Sequence, residues 1–253
     1  MSDLLTLDKV ALSYHTAGGE TEALKSVSFS ARRGEFLSIV GPSGCGKTTI
    51  LSVVAGLLTP TSGSVLLDGA PVGPPDGNVG YMLQRDTLFE WLTVCANTLL
   101  GLRVQKKLTD ESRAYARSLI DKYGLGEFAD SYPTRLSGGM RQRAALVRTL
   151  AFRPKLLLLD EPFSALDFQT RTDVAEDVRG IIAQEGVTTL LVTHDVPEAV
   201  CMGDRIVLLS PRPAVVKEIV DVGIPGTPSE RRASPRSARL AEEIMEKLRR
   251  EDG

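Results

Sequence analysis

The sequence predicts an α/β fold: a mostly parallel sheet, an N-terminal antiparallel β subdomain and an inserted α-helical subdomain. Three observations predict it. The short apolar runs FLSIV (36–40), KLLLLD (155–160) and TTLLVTH (188–194) each precede a helical pattern, as buried parallel strands do. Residues 4–14 and 23–30 alternate in the manner of half-buried strands. Residues 93–131 read as mostly helical.

Each element has a local reason. The turn-rich TAGGET separates the first two strands. GSVLLDGAPV (63–72) is a further strand ending in a turn, VGYML (79–83) is strand-like, and DRIVLLS (204–210) adds one more. In TDESRAYARSLIDKYG (109–124), Thr109 or Asp110 caps a helix and Gly124 closes it. One domain is expected over 1–225, with its α/β core in 1–85 and 154–225 and the helical lobe in 86–153. A Pro-, Ser- and Arg-rich tail, 226–253, turns into the charged helix ARLAEEIMEKLRR, expected to be solvated.

Composition narrows the function classes. A chain of 253 residues can bury a full core. With 30 Lys+Arg against 32 Asp+Glu it carries no basic excess, which disfavours nucleic acid as a partner. No apolar run approaches the ~20 residues of a membrane span, and MSDLLTLDKV is no signal peptide, so a cytoplasmic protein is expected. Cys45, Cys95 and Cys201 lack metal-site spacing, so any metal is expected on oxygen ligands.

GPSGCGKTT (41–49) satisfies G-x-x-x-x-G-K-[ST] between a strand and a helix. Gly41, Gly44 and Gly46 let the backbone curl, so the amides of Pro42-flanked Ser43, Cys45 and the residues after them can point at one anion. The helix start at Lys47, Thr48 and Thr49 adds its positive dipole end. Lys47 can reach β- and γ-phosphates, and the Thr48 hydroxyl can hold Mg²⁺. ATP is therefore the expected ligand. Cys45 is read as a small side chain that fits the loop.

LLLLDEP ends a buried run in two acids at the carboxyl edge of the sheet, where α/β proteins bind ligands. Asp160 is expected to help hold Mg²⁺ through water, and Glu161 to orient or deprotonate the attacking water. Without the phosphate loop these acids could merely begin a helix. His194 ends the next strand and is a candidate γ-phosphate sensor, although a lone histidine is more often structural. Spacing alone leaves Gln84 an exposed polar residue.

LSGGMRQR (136–143) is a second glycine turn entering a helix, with no lysine. One ATP does not easily use two such turns from the same side; a second becomes useful facing another subunit's nucleotide. Together GPSGCGKTT, LSGGM, LLLLDEP, SALD (164–167) and VTHD (192–195), in this order, resemble the ATP-binding cassette family over roughly residues 5–216. The resemblance implies a P-loop ATPase that pairs head to tail as a homodimer on ATP. It implies that Ser137, Gly138 and Gly139 meet the γ-phosphate on the partner's P-loop, that Asp167 lines the dimer seam, and that Tyr14 stacks on adenine. It makes Gln84 a sensor of Mg²⁺ and the attacking water.

LFEWLTVCANTLLGL (88–102) and SPRPA (210–214) resemble segments of the nitrate, sulfonate and taurine importer ATPases, with Glu90, Ser164 and Ala214 departing from that group's usual proline, glycine and glycine. The resemblance implies separate permease subunits, a solute-binding protein acting indirectly, and a peripheral position on the cytoplasmic face of the inner membrane. A permease helix is expected near Gln84–Trp91; Trp91 could instead anchor the lobe from inside. The alternative function is a soluble, non-transport ATPase of the family acting on DNA or ribosomes.

Overall fold

The computed structural model describes residues 2–16 and 19–249, which fall into two compact units, Met1–Pro75 with Val187–Gly253, and Asp76–Gly186. Ala17 and Gly18 of the expected TAGGET turn, and the expected helix beyond residue 249, lie outside the described residues.

In the first unit, β1 (Asp3–Thr16) and β2 (Gly19–Arg32) form a long antiparallel pair with Leu7 opposite Phe29 and Val10 opposite Val27. The alternation read from the sequence is the cause: Leu5, Leu7, Val10, Leu24 and Val27 are all buried. β4 (Ser62–Leu67) and β5 (Ala70–Pro71) extend this antiparallel side. The other side holds β3 (Phe36–Val40), β8 (Thr188–Val192) and β9 (Arg205–Leu209), with β3 parallel to both neighbours. Every residue of β3 and β8 is buried, which is why they read as continuous runs rather than alternations.

One strand is absent from the expectations. β10 (Ala214–Asp221) runs antiparallel to β9 and parallel to β2, joining the two halves of the sheet. Its mixed pattern, AVVKEIVD, follows a proline-rich turn and gives no clean period. Helices α1 (Lys47–Val54) and α6 (Val196–Met202) follow β3 and β8 as expected. The solvated tail helix needs correcting. In α8 (Pro235–Arg249), Ala241 and Ile244 are buried in a cluster with Val40, Val196 and Val200, so one face is packed and only the other is wet.

In the second unit, β6 (Val79–Met82) is parallel to β7 (Leu156–Asp160). The expected helical stretch is α2 (Val94–Val104), α3 (Asp110–Lys122) and a short 3-10 turn, followed by α4 (Gly138–Leu150) and α5 (Phe168–Glu185). Thr109, not Asp110, caps α3, in a capping box with Ser112, and Gly124 leaves the helix at φ +72°. Among the described residues no helix is long and apolar enough to cross a membrane.

Candidate functional site

The loop 41–46 is curled by glycine. Gly44 and Gly46 stand at φ +72° and +118°, a region closed to most side chains. A Cβ on Gly46 would sit 2.9 Å from Leu24 Cδ2, and one on Gly41 would press on Cys45 Sγ and Leu209 Cβ at 3.0 Å. The bare Gly41 thus leaves room for the Cys45 side chain. Cys45 is buried, which pushes its thiol pKa up; the charge of Lys47 only partly offsets this. Lys47 is itself only 7 % exposed, and its Nζ donates to the carbonyl oxygens of Gly41 (2.8 Å) and Pro42 (2.9 Å). A buried ammonium satisfied by two carbonyls is costly unless the loop closes around it. The lysine thus braces the curl while carrying positive charge into it.

Around this loop the first unit gathers three further groups. Thr48 is exposed at the start of α1. Tyr14 of β1 is 39 % exposed and its hydroxyl lies 3.1 Å from Thr49 Oγ1. A ring with that much free surface beside the helix start can accept a flat apolar partner. His194 follows β8, exposed, on a turn that Asp195 closes by capping α6. A cavity of about 520 Å³ has Gly41–Ser43 on one wall and His194 on another. The sequence-predicted residues Gly41 to Thr49, Tyr14 and His194 are therefore brought to one end of this unit.

The second unit gathers the rest. β7 is buried throughout and delivers Asp160, 7 % exposed, which accepts a hydrogen bond from the Tyr81 hydroxyl at 3.2 Å. Glu161 stands at φ +46°, a conformation that strains a residue with a Cβ and recurs at functional sites. The turn after it supplies the compensation. Ser164 donates its backbone N–H (3.2 Å) and its Oγ–H (3.0 Å) to the Glu161 carbonyl. The same Ser164 Oγ accepts from the exposed Gln84 at 3.1 Å. Ser164 thus ties Gln84 to the Glu161 turn. The sequence marked it only as a departure from glycine; its hydroxyl was the signal.

LSGGM is built differently. Ser137 is the N-cap of α4 and accepts from Met140 N at 3.3 Å. Ser137 and Gly138 are exposed at the helix start. Gly139 is buried, and a Cβ there would come within 2.8 Å of Val174 Cγ2 on α5. Asp167 caps α5, taking the Thr170 N–H at 3.1 Å; the hydrogen bond from the Thr170 side chain, and then this N–H, hold its carboxyl below the usual range. Trp91 is 70 % exposed and packs against Phe89 with ring centroids 5.0 Å apart and planes tilted by 57°; the reading of it as an internal anchor of the lobe is corrected.

In the first unit the donor set fits the phosphates of ATP: a glycine-curled cradle, a buried lysine inside it and a helix start bearing the exposed Thr48; in the second unit Asp160 offers a carboxylate at a strand end, an oxygen ligand of the kind Mg²⁺ takes. Comparison with known proteins finds ATP-binding relatives. A family model described as ABC transporter matches residues 24–164. An uncharacterized ABC transporter ATP-binding protein of Bacillus subtilis is 47 % identical over 86 % of this chain and 84 % of its own length. The taurine import ATP-binding protein of Pelagibacter ubique is 39 % identical over 97 % of this chain and 94 % of its own. The nitrate import ATP-binding protein NrtC of Synechococcus elongatus is 44 % identical, over 89 % of this chain but 35 % of that longer protein. Among solved structures, the dimeric ATP-binding cassette MJ0796 in a post-hydrolysis state with ADP and Pi has a TM-score of 0.71 at 31 % identity, covering 86 % of this chain and 98 % of that one.

Proposed function

This chain belongs to the ABC transporter family, and from that premise we propose that it is the ATP-hydrolysing subunit of an importer, paired with a second copy and with separate permease subunits. The observation that carries the reading is the phosphate cradle of residues 41–48 closed around a buried Lys47. Backbone amides of Ser43 to Thr48 and the Lys47 ammonium hold the triphosphate. Thr48 and, through water, Asp160 would hold Mg²⁺, whose charge would offset that of the phosphates. Glu161 takes the proton of the attacking water, and Gln84, tethered by Ser164, positions that water. His194 senses the γ-phosphate and Tyr14 carries the adenine.

Ser137, Gly138 and Gly139 serve the nucleotide of the second copy, with Asp167 at the seam between copies. ATP then stabilises the closed pair, because each nucleotide bridges two chains, and hydrolysis removes the bridge. Phosphoryl transfer needs placement and charge stabilisation more than covalent chemistry, so closure completes the site in which Glu161 acts. The solute is of the nitrate, sulfonate or taurine kind. Sequence identity to the taurine and nitrate import proteins supports this. A solute-binding protein delivers it to the permease, which holds the chain on the cytoplasmic face of the inner membrane. The exposed Phe89–Trp91 pair supports docking of a permease element near Gln84–Trp91.

The test is sedimentation of Glu161→Gln with and without Mg·ATP. The variant should keep ATP binding, lose turnover by about 10³-fold, and change from monomer to dimer only with ATP. Retained turnover would remove Glu161 from the base role. Association with nucleic acid in place of a permease on pull-down would remove the transport reading.

A further inference from the structure

The segment 85–92, which carries the exposed Phe89–Trp91 pair, is stapled from two sides within the second unit. From α2, Asn97 holds it by exchanging hydrogen bonds with the Phe89 backbone, at 2.8 Å from Phe89 N and 3.1 Å to Phe89 O, and by donating to Leu92 O at 3.0 Å. From α4, two arginines hold it. Arg148 donates to the carbonyl oxygens of Thr87 (2.7 Å) and Asp86 (3.0 Å), and so supports Thr87 at φ +48°.

Arg141 makes the stronger staple. Its Nε donates to Asp86 Oδ2 at 2.7 Å, and its Nη2 to Asp86 Oδ1 at 3.1 Å and to Glu90 Oε1 at 2.6 Å. Asp86 Oδ1 also accepts the Leu88 N–H at 3.0 Å, so the carboxylate is held on both sides. Burial alone would raise the Asp86 pKa; the hydrogen bonds from Arg141 and the Leu88 N–H, with the charges of Arg141 and Arg148, together outweigh it and keep the carboxylate low. One guanidinium thus serves three acceptor oxygens in a planar fork, which a lysine cannot reproduce.

Arg141 is placed where this matters. Its own N–H closes the first turn of α4 on Ser137 O at 2.9 Å. One residue therefore joins the exposed aromatic pair to the LSGGM turn. Glu90 adds an oxygen to the fork at a position where the resembling importer group usually has proline.

We propose that Arg141 is a positioning residue that locks segment 85–92 to the first turn of α4, so that a change at Ser137–Gly139 is felt at Phe89–Trp91 and the reverse. This rests on the reading of that turn as facing a second copy's nucleotide. The chain itself supplies a reporter, because Trp91 is its sole tryptophan.

The experiment uses the full chain carrying Glu161→Gln as parent. Sedimentation, Trp91 emission and binding of a fluorescent ATP analogue are each followed against Mg·ATP concentration. In the parent, Trp91 emission should change at the same ATP concentration as dimer formation. Adding Arg141→Lys should leave nucleotide binding by the lone chain unchanged. It should raise the ATP needed for dimer formation roughly tenfold, the loss of about one charge-assisted hydrogen bond, and flatten the Trp91 change. Glu90→Gln, a milder change on the exposed side of the fork, should shift the midpoint by roughly twofold in the same direction. A parent that dimerises with silent Trp91, or an Arg141→Lys variant with parental midpoint and parental Trp91 change, overturns the proposal while leaving the dimer reading intact. A parent that never dimerises overturns both.

Discussion

The glycine turns at 41–46 and 136–139 look alike in sequence, and they are built on opposite plans. The first is curled: Gly44 and Gly46 stand at positive φ, and Lys47 folds back onto the carbonyls of Gly41 and Pro42. It is a cradle complete in itself. The second is straight: Ser137 caps an ordinary helix start, and no glycine in it stands at positive φ. Gly139 serves contact with Val174 rather than curvature. A capped helix start offers amides and a dipole end to an anion but cannot enclose one. That difference teaches why the second turn suits a ligand already held elsewhere.

The comparison can be broken by substitution. Ser137→Arg should leave ATP binding by the lone chain unchanged and abolish the ATP-dependent dimer seen by sedimentation. An unchanged dimer would mean the second turn faces no partner nucleotide. Next in size, Gly139→Ala should destabilise the fold by about 1–3 kcal/mol, because the added methyl meets Val174. Thermal melting checks this, and Val174→Ala should restore part of the loss. If Gly139→Ala melts with the wild type, the glycine is there for an anion and not for packing.

The smallest effect sharpens the first plan. Cys45 is buried with a raised thiol pKa, whereas Cys95 is partly exposed. Cys45 should therefore alkylate several-fold more slowly than Cys95 at neutral pH, and ATP should slow it further. Once modified, the loop should no longer bind nucleotide. Peptide mapping with ATP titration reads both. Equal rates would mean the loop opens freely and Lys47 does not brace it.

Much of the fold was legible because burial writes itself into the period. β3, β7 and β8 are buried on all sides and read as solid apolar runs; β1 and β2 alternate. β10 was not legible, since its pairing with β2 and β9 depends on strands far away in the chain. The buried face of α8 was missed for the same reason: Ala241 and Ile244 find their partners in Val40 and Val200. At the site, the motif residues announced themselves by type and spacing. Ser164, Arg141 and Asp86 did not, because serine, arginine and aspartate at such positions are ordinary surface residues until a fold brings their partners within 3 Å or so.

By itself, then, the sequence picked out the residues proposed to hold a triphosphate and to do its chemistry. Glycine at 44 and 46, lysine at 47 and paired acids at 160 and 161 are dictated by local conformation and charge. Tertiary structure alone decided how those groups are held: Lys47 against two carbonyls, the strained Glu161 against Ser164, and the LSGGM helix against segment 85–92 through Arg141. The physical reason is range. Backbone conformation and hydrophobic period act over a few residues and can be read along the chain. Hydrogen bonds between residues tens of positions apart exist only once packing has chosen the neighbours.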